Sequence, residues 1–195
     1  IGKETSIKRL IPTAESAFQV QEGSAIRVNE ISHKPLIATF EFFEQMLKPW
    51  NPEREMEFGL VRVSIPEFDH RAFREALVNA FSHRDYSILQ MTRVVIDEEG
   101  MTISNPGAFI NGVTLKNLIT ADPHGRNPNL ADALKRIGLA ERTGRGIDRI
   151  FEGSIIYGRP LPDYSLSDET SVKVFIPRAL PDLQFCKMLK EEQLR

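Results

Sequence analysis

The chain has 195 residues, 41% hydrophobic and 27% charged, with a net charge of −2. That balance fits a globular protein of one domain plus an appendage and excludes a uniformly basic nucleic-acid-binding surface, leaving only a local basic patch open. The single cysteine, Cys186, excludes an internal disulfide and a thiolate zinc cluster, and fits a reducing compartment. No apolar run approaches the ~20 residues that span a bilayer, and no signal-peptide pattern is present. A cytoplasmic location without membrane contact is therefore expected. The chain starts at Ile1 and closes on a charged helical pattern, so a piece excised from a longer protein is expected.

In chain order, residues 1–33 alternate loosely, with strand-like runs at Ala14–Val20 and Ala25–Ile31 around Gln21-Glu22-Gly23. From Lys34 to Leu47, Leu36, Ile37, Phe40, Phe43 and Leu47 fall at helical spacing, and Pro49 and Pro52 end that helix. Met56–Ile65 alternates as one strand closed by Pro66.

The next helix has the clearest signals. Asp69 is its expected N-cap, with Phe68 and Phe73 as a hydrophobic staple. Phe73, Ala76, Leu77, Ala80 and Phe81 form a broad core stripe. Glu75, Asn79 and His83 recur every four residues and form a polar strip beside it. The intervening edge is Ala72, Ala76 and Ala80, minimal side chains that leave room for a ligand, although alanines are also simply good helix formers. The strip is read as solvent-exposed, so Glu75 would act by position rather than by unusual basicity.

Met91–Asp97 and Met101–Ser104 read as a hairpin around Glu98-Glu99-Gly100. Residues 105–127, rich in Asn, Gly and Pro, are too long for an ordinary connection and form a candidate binding loop or lid. Leu130–Ile137 returns to helix with Gly138 at its end, and Ile147–Phe151 follows Thr143-Gly144-Arg145-Gly146. Strands are expected at Tyr164–Leu166 and Val172–Ile176, and a further helix from Asp182 onward.

Several signatures are absent. There is no G-x-x-x-x-G-K-[ST] loop. Gly144-x-Gly146 has Arg149 where a dinucleotide fingerprint needs its third glycine. His83-Arg84-Asp85 lacks the asparagine and the D-F-G of a kinase.

Three elements remain: the Glu75/Asn79/His83 strip, the strand-to-turn Ile103-Ser104-Asn105-Pro106-Gly107, and Gly144-Arg145-Gly146 entering a helix. A glycine turn lets backbone approach a flat ligand. A helix start with bare amides favours an anion. Singly, each is a solvated face, a turn and a helix start; in this order they point to a nucleotide site.

This arrangement resembles the Bergerat-fold ATPases, the GHKL group of gyrase, ATP-dependent chaperones, histidine kinases and MutL. Glu75-x-x-x-Asn79 is similar to the N-box, Asn105-Pro106-Gly107 stands at the D-x-G box, and Gly144-Arg145-Gly146 at the G2 box. More closely, Arg74–Ala80 with His83-Arg84-Asp85-Tyr86, Asn105-Pro106-Gly107, Arg126-Asn127-Pro128 and Thr143–Ile147 resembles a subgroup of bacterial and archaeal transcriptional regulators. These are described as RecG-related, ATP-dependent DNA helicase-like proteins, and in them a Schlafen AlbA-type domain precedes this region and a winged helix often follows. The resemblance covers about residues 55–177.

The resemblance implies an α/β two-layer sandwich, with a mixed, mostly antiparallel sheet and helices on one face. It implies a connecting region over 1–52, the ATPase-like domain over 53–178 and the start of a C-terminal helical segment over 179–195. It further implies ATP and Mg²⁺ as ligands, with Glu75 activating water and Asn79 holding the metal. Asn105 and Gly107 would meet adenine. Arg126, Arg145 and the amides of Gly144 and Gly146 would hold the phosphates, Asn127 would belong to the same nucleotide site, and His83 either contacts phosphate or caps the helix.

Asn105 stands where the superfamily has an acidic residue; an amide oxygen accepts the adenine hydrogen bond less strongly than a carboxylate. The glycine-rich lid is replaced by residues 122–128. The expectation is therefore a nucleotide-binding regulatory domain with slow or no hydrolysis, homodimerisation, and DNA contact through modules outside this chain. The alternative is a scaffold that acts only through DNA or protein contacts, with Arg84, Arg126, Lys135, Arg136, Arg142, Arg145 and Arg149 as its basic groups.

Overall fold

A computed structural model describes residues 3–58, 61–121, 125–140 and 146–193. Five strands make one mixed sheet, in the order β2-β1-β5-β6-β7. These are β1 (Ser16–Glu22), β2 (Ala25–Ser32), β5 (Thr92–Ile96), β6 (Gly100–Pro106) and β7 (Ser171–Pro177). Only the β1–β5 pair is parallel. Residues 16–32 thus supply two of the five strands, and the sheet begins well before residue 53.

The register explains the core. Phe18 lies opposite Val94, Val94 opposite Ile103 and Ile103 opposite Val174, giving one apolar row across four strands. Val20, Ile96, Met101 and Ile176 make a second row two residues along. Because side chains alternate along a strand, both rows point to the same face. Helices cover that face: α2 (Leu36–Leu47) supplies Phe40, Phe43 and Leu47, and α3 (His70–Ser82) supplies Phe73, Leu77 and Phe81. Each such side chain contributes roughly 1.5–3 kcal/mol on burial. The next row of the same face turns polar, with Ser16 opposite Thr92 and Asn105 opposite Val172. The core layer ends there and a cleft begins. The expected two-layer sandwich is therefore present.

Helix α3 starts as expected: the Asp69 carboxylate accepts from the amides of Arg71 and Ala72, both at 2.9 Å. Phe68 and Phe73 are both buried across that cap. Helix α5 (Gly146–Ile155) packs against α3 through glycines two turns apart. A Cβ on Gly153 would stand 2.6 Å from the Ala72 Cβ, and one on Gly146 3.0 Å from Glu75 Oε2. Helix α4 (Pro128–Arg136) ends in a Schellman motif: Gly138, at φ +78°, donates to the Lys135 carbonyl at 3.2 Å, and Leu139 donates to that of Leu134 at 3.0 Å.

Three expectations change. The single strand over Met56–Ile65 is an antiparallel hairpin, β3 (Glu53–Phe58) with β4 (Val61–Pro66), in a sheet of its own. Phe58 lies opposite Val61, so only residues 59 and 60 connect the strands. Tyr164–Leu166 is no strand, because only Asp163 bridges to Phe175. A short helix, α1 (Glu4–Leu10), precedes β1 where loose alternation was expected; none of its residues is buried. The C-terminal helix is present as α6 (Leu183–Gln193). Among the described residues no helix is long and apolar enough to cross a membrane.

Candidate functional site

At the polar end of the sheet face lies a cavity of about 280 Å³, close to the lower end of the ~300–1,000 Å³ of small-molecule pockets. Its roof is α3, which presents Ala76, Asn79, Ala80 and His83. Its floor is Ile103 and Asn105 of β6 with Val172 and Val174 of β7. A loop wall runs from Ala108 to Ala121, and Gly146, Ile147 and Asp148 close the α5 side. The alanine edge of α3 does what its small side chains allow: the space lies beneath Ala76 and Ala80.

Asn79, His83 and Asn105 thus converge on one cavity from two elements far apart in sequence. Asn105 is only 5% exposed and ends the row Met101/Ile103/Asn105. Its Nδ2 donates to the Pro106 carbonyl at 3.2 Å, which leaves its Oδ1 as an acceptor. Burial lowers the pKa of His83 below its ordinary 6.5, and the nearby Arg126 lowers it further. The imidazole is therefore neutral at pH 7. Its amide caps α3 by donating to the Asn79 carbonyl at 2.9 Å.

Glu75 departs from the exposed strip expected of it. Its carboxylate is 2% exposed, within 4.0 Å of Arg74 Nη2 and beneath the start of α5. The reason is the close α3–α5 approach, which places Gly146 over Glu75 and Asn79.

Gly107 has φ +98°, a left-handed backbone that favours glycine. A Cβ there would also lie 2.9 Å from that of Asp85. Arg126 and Asn127 bind protein rather than open space. The Arg126 guanidinium donates to the His83 and Ala108 carbonyls and to Asp85, and the Asn127 amide group donates to the carbonyls of Ser82 and Arg84. Gly144 and Arg145 lie outside the described residues. Among the described residues no lysine or arginine lines the cavity.

Sequence reasoning missed two lining residues. Tyr164, 7% exposed, stands against Phe109 and Phe151 with ring centroids 6.4 Å away in each case. Burial raises its pKa, so its hydroxyl stays protonated. Its misassignment to a strand hid this; an isolated aromatic in a loop was the available signal. Asp148 lies in the first turn of α5 and reads as an ordinary helix-start acid.

The surface expected of the alternative reading is reduced. Arg84 is 1% exposed beneath backbone carbonyls, and Arg136 and Arg149 pair with Asp132 and Glu152. Burial lowers the Arg84 pKa, which Coulombic interaction with Tyr86 and Glu15 partly offsets.

Residues 91–176 match the family model described as "Putative ATP-dependent DNA helicase recG C-terminal", so this part of the chain is similar to an ATPase-like domain family. No curated protein matches. Among solved structures, the chain is similar to the DIP2311 protein from Corynebacterium diphtheriae, with a TM-score of 0.84 and 22% identity. That likeness covers 97% of this chain and 40% of the other, so the chain spans less than half the length of that protein. At this identity it shows the fold.

Proposed function

We propose that the cavity binds a purine nucleotide, ATP with Mg²⁺, and that the domain works as a binding switch with slow or no hydrolysis. The observation that carries this reading is the convergence of Asn79, His83 and Asn105 on one cavity with an apolar floor. A flat heteroaromatic ring suits the slot between α3 and β6. Asn105 Oδ1 accepts from its exocyclic amine, and Gly107 keeps the adjoining backbone close.

The donors fit a magnesium ion. Mg²⁺ takes one or two protein oxygens and completes its shell with water and phosphate oxygens. Asn79 Oδ1, with Asp148 on the α5 side, meets that need, and among the described residues no larger group of acidic or histidine ligands is assembled. When bound, the ion neutralises phosphate charge. Gly146, which begins α5, is assigned to the phosphates together with Gly144 and Arg145, which precede it in sequence, and the dipole of the helix favours an anion there. Glu75 is the base or orienting group for water. Its burial beneath Gly146 supports slow turnover.

Nucleotide occupancy would then be read by flanking modules, including a DNA-binding one, through dimerisation. The scaffold alternative draws support from the scarcity of cations along the cavity, yet the burial and pairing of Arg84, Arg136 and Arg149 leave it few groups for tracking phosphates. Calorimetric titration with Mg-ATP decides between them. Saturable binding that Asn79→Ala weakens supports the switch. Absence of heat at millimolar nucleotide, with DNA binding that strengthens as salt falls, supports the scaffold.

A further inference from the structure

Arg126 and Asn127 lead into α4, and both turn back onto the end of α3. Arg126 Nε donates to the His83 carbonyl at 3.1 Å, Nη1 to Asp85 Oδ2 at 3.2 Å and Nη2 to the Ala108 carbonyl at 2.9 Å. His83 and Ala108 belong to different walls of the cavity, the roof and the loop. Asn127 adds three bonds: its Nδ2 donates to Ser82 and Arg84 at 3.0 and 2.8 Å, and its amide donates to Ser82 at 3.1 Å. From the other side, the Asp85 amide donates to the Pro106 carbonyl at 2.8 Å, and the Gly107 amide donates to that of Thr170, also at 2.8 Å.

We propose that Arg126, together with Asp85, is a positioning residue of the cavity. It touches no ligand and fixes the distance between α3 and the loop wall through the backbone of residues 83 and 108. This rests on the nucleotide reading above and gives Arg126 a role other than the phosphate contact its sequence position suggests.

The chemistry of the residue fits. A guanidinium presents donors in several fixed directions within one plane, whereas an ammonium is a compact point charge. Here three acceptors lie around a single group, one of them a carboxylate that makes its bond charge-assisted. The loop wall needs holding only at its neck, because it is wired internally: Asn117 accepts from the Thr114 amide at 2.6 Å and donates to the Gly112 carbonyl at 2.7 Å. Gly107 allows the closure, since any Cβ at that position would press on Asp85 and on Arg126 itself.

The test uses Arg126→Gln and Arg126→Lys in the full 195-residue chain, titrated with Mg-ATP and with adenosine, which carries no phosphate. A positioning role predicts that both variants weaken both ligands by the same factor, about tenfold, the size of one lost charge-assisted interaction. Weakening of Mg-ATP alone, restored by Arg126→Lys, would mean a phosphate contact and overturn the proposal. Amide exchange on ligand-free protein gives a second readout. Exchange at Asp85, Gly107 and Asn127 should speed up in Arg126→Gln relative to core amides such as Ile103 and Val174. Unchanged exchange at these three sites overturns the proposal whatever the nucleotide does. Should the unaltered chain bind neither ligand, the nucleotide reading fails and the exchange result alone decides the role of Arg126.

Discussion

Gly153→Ala probes the α3–α5 contact on which the cavity depends. The added Cβ would stand 2.6 Å from the Ala72 Cβ and 2.9 Å from the Asp69 Cβ. Carbon atoms pack at about 3.5–4.0 Å, so the helices must part by about 1 Å. Neither neighbour can swing away, because each Cβ is fixed to the backbone of α3 or its cap. Overpacking of this kind costs about 1–3 kcal/mol, while alanine in a helix interior recovers roughly 0.5–1 kcal/mol over glycine. The expected balance is a loss of about 1–2 kcal/mol, read as a lower urea midpoint and a Tm lower by about 2–8 °C. The shift also lifts Gly146 from Glu75 and Asn79, so nucleotide affinity should fall with stability. A variant as stable as the parent, or more so, would mean that helix propensity outweighs the contact and that α3 and α5 have slack.

Arg84→Met removes the donor from the carbonyls of Thr13 and Glu15, which are half-buried, and of Gln90, which is exposed; at the ~0.5–1.5 kcal/mol of an ordinary hydrogen bond, urea denaturation should show a loss of about 1–3 kcal/mol, and an unchanged midpoint would contradict the anchoring role of Arg84. His83 should titrate below 6.5 by NMR. Because its folded pKa lies below its unfolded value, the unfolded chain binds more protons as pH falls through 6.5, so stability is lost on that descent, and His83→Gln should flatten the slope; a midpoint above 6.5 would refute the buried neutral imidazole. Glu75→Gln should keep Mg-ATP affinity within about twofold while abolishing whatever slow turnover exists. Strong loss of binding would place Glu75 in ligand recognition instead.

Helix α3 was legible because its information is local. The Asp69 cap, the phenylalanine pair and the apolar stripe all lie within fourteen residues; the structure has the cap and buries the stripe together with Phe68 and Phe73. The same locality gave the β5–β6 hairpin and the glycine that ends α4. What escaped depends on distant partners. Parallel pairing of β1 with β5 joins segments more than seventy residues apart, and nothing near Ser16 announces it. The β3–β4 hairpin reads as one strand because apolar residues recur at every second position up to Leu60 and again from Val61, so the two runs look continuous. Glu75 looked solvated because helical spacing places it beside the stripe, yet a second helix covers that flank through glycines whose close approach only packing reveals. Arg126 has the fork that suits phosphate, but backbone carbonyls and a carboxylate present the same geometry, so residue type alone could not separate the two roles.

The central claim is that the cavity beneath α3 holds a purine nucleotide. Calorimetric titration of Mg-ATP into the 195-residue chain, repeated with Asn79→Ala and Asn105→Leu at matched folded fractions, tests it most directly. The account predicts one saturable site, weakened by both substitutions, with adenosine binding impaired by Asn105→Leu and little affected by Asn79→Ala. Absence of heat at millimolar nucleotide, or binding indifferent to both substitutions, would contradict it.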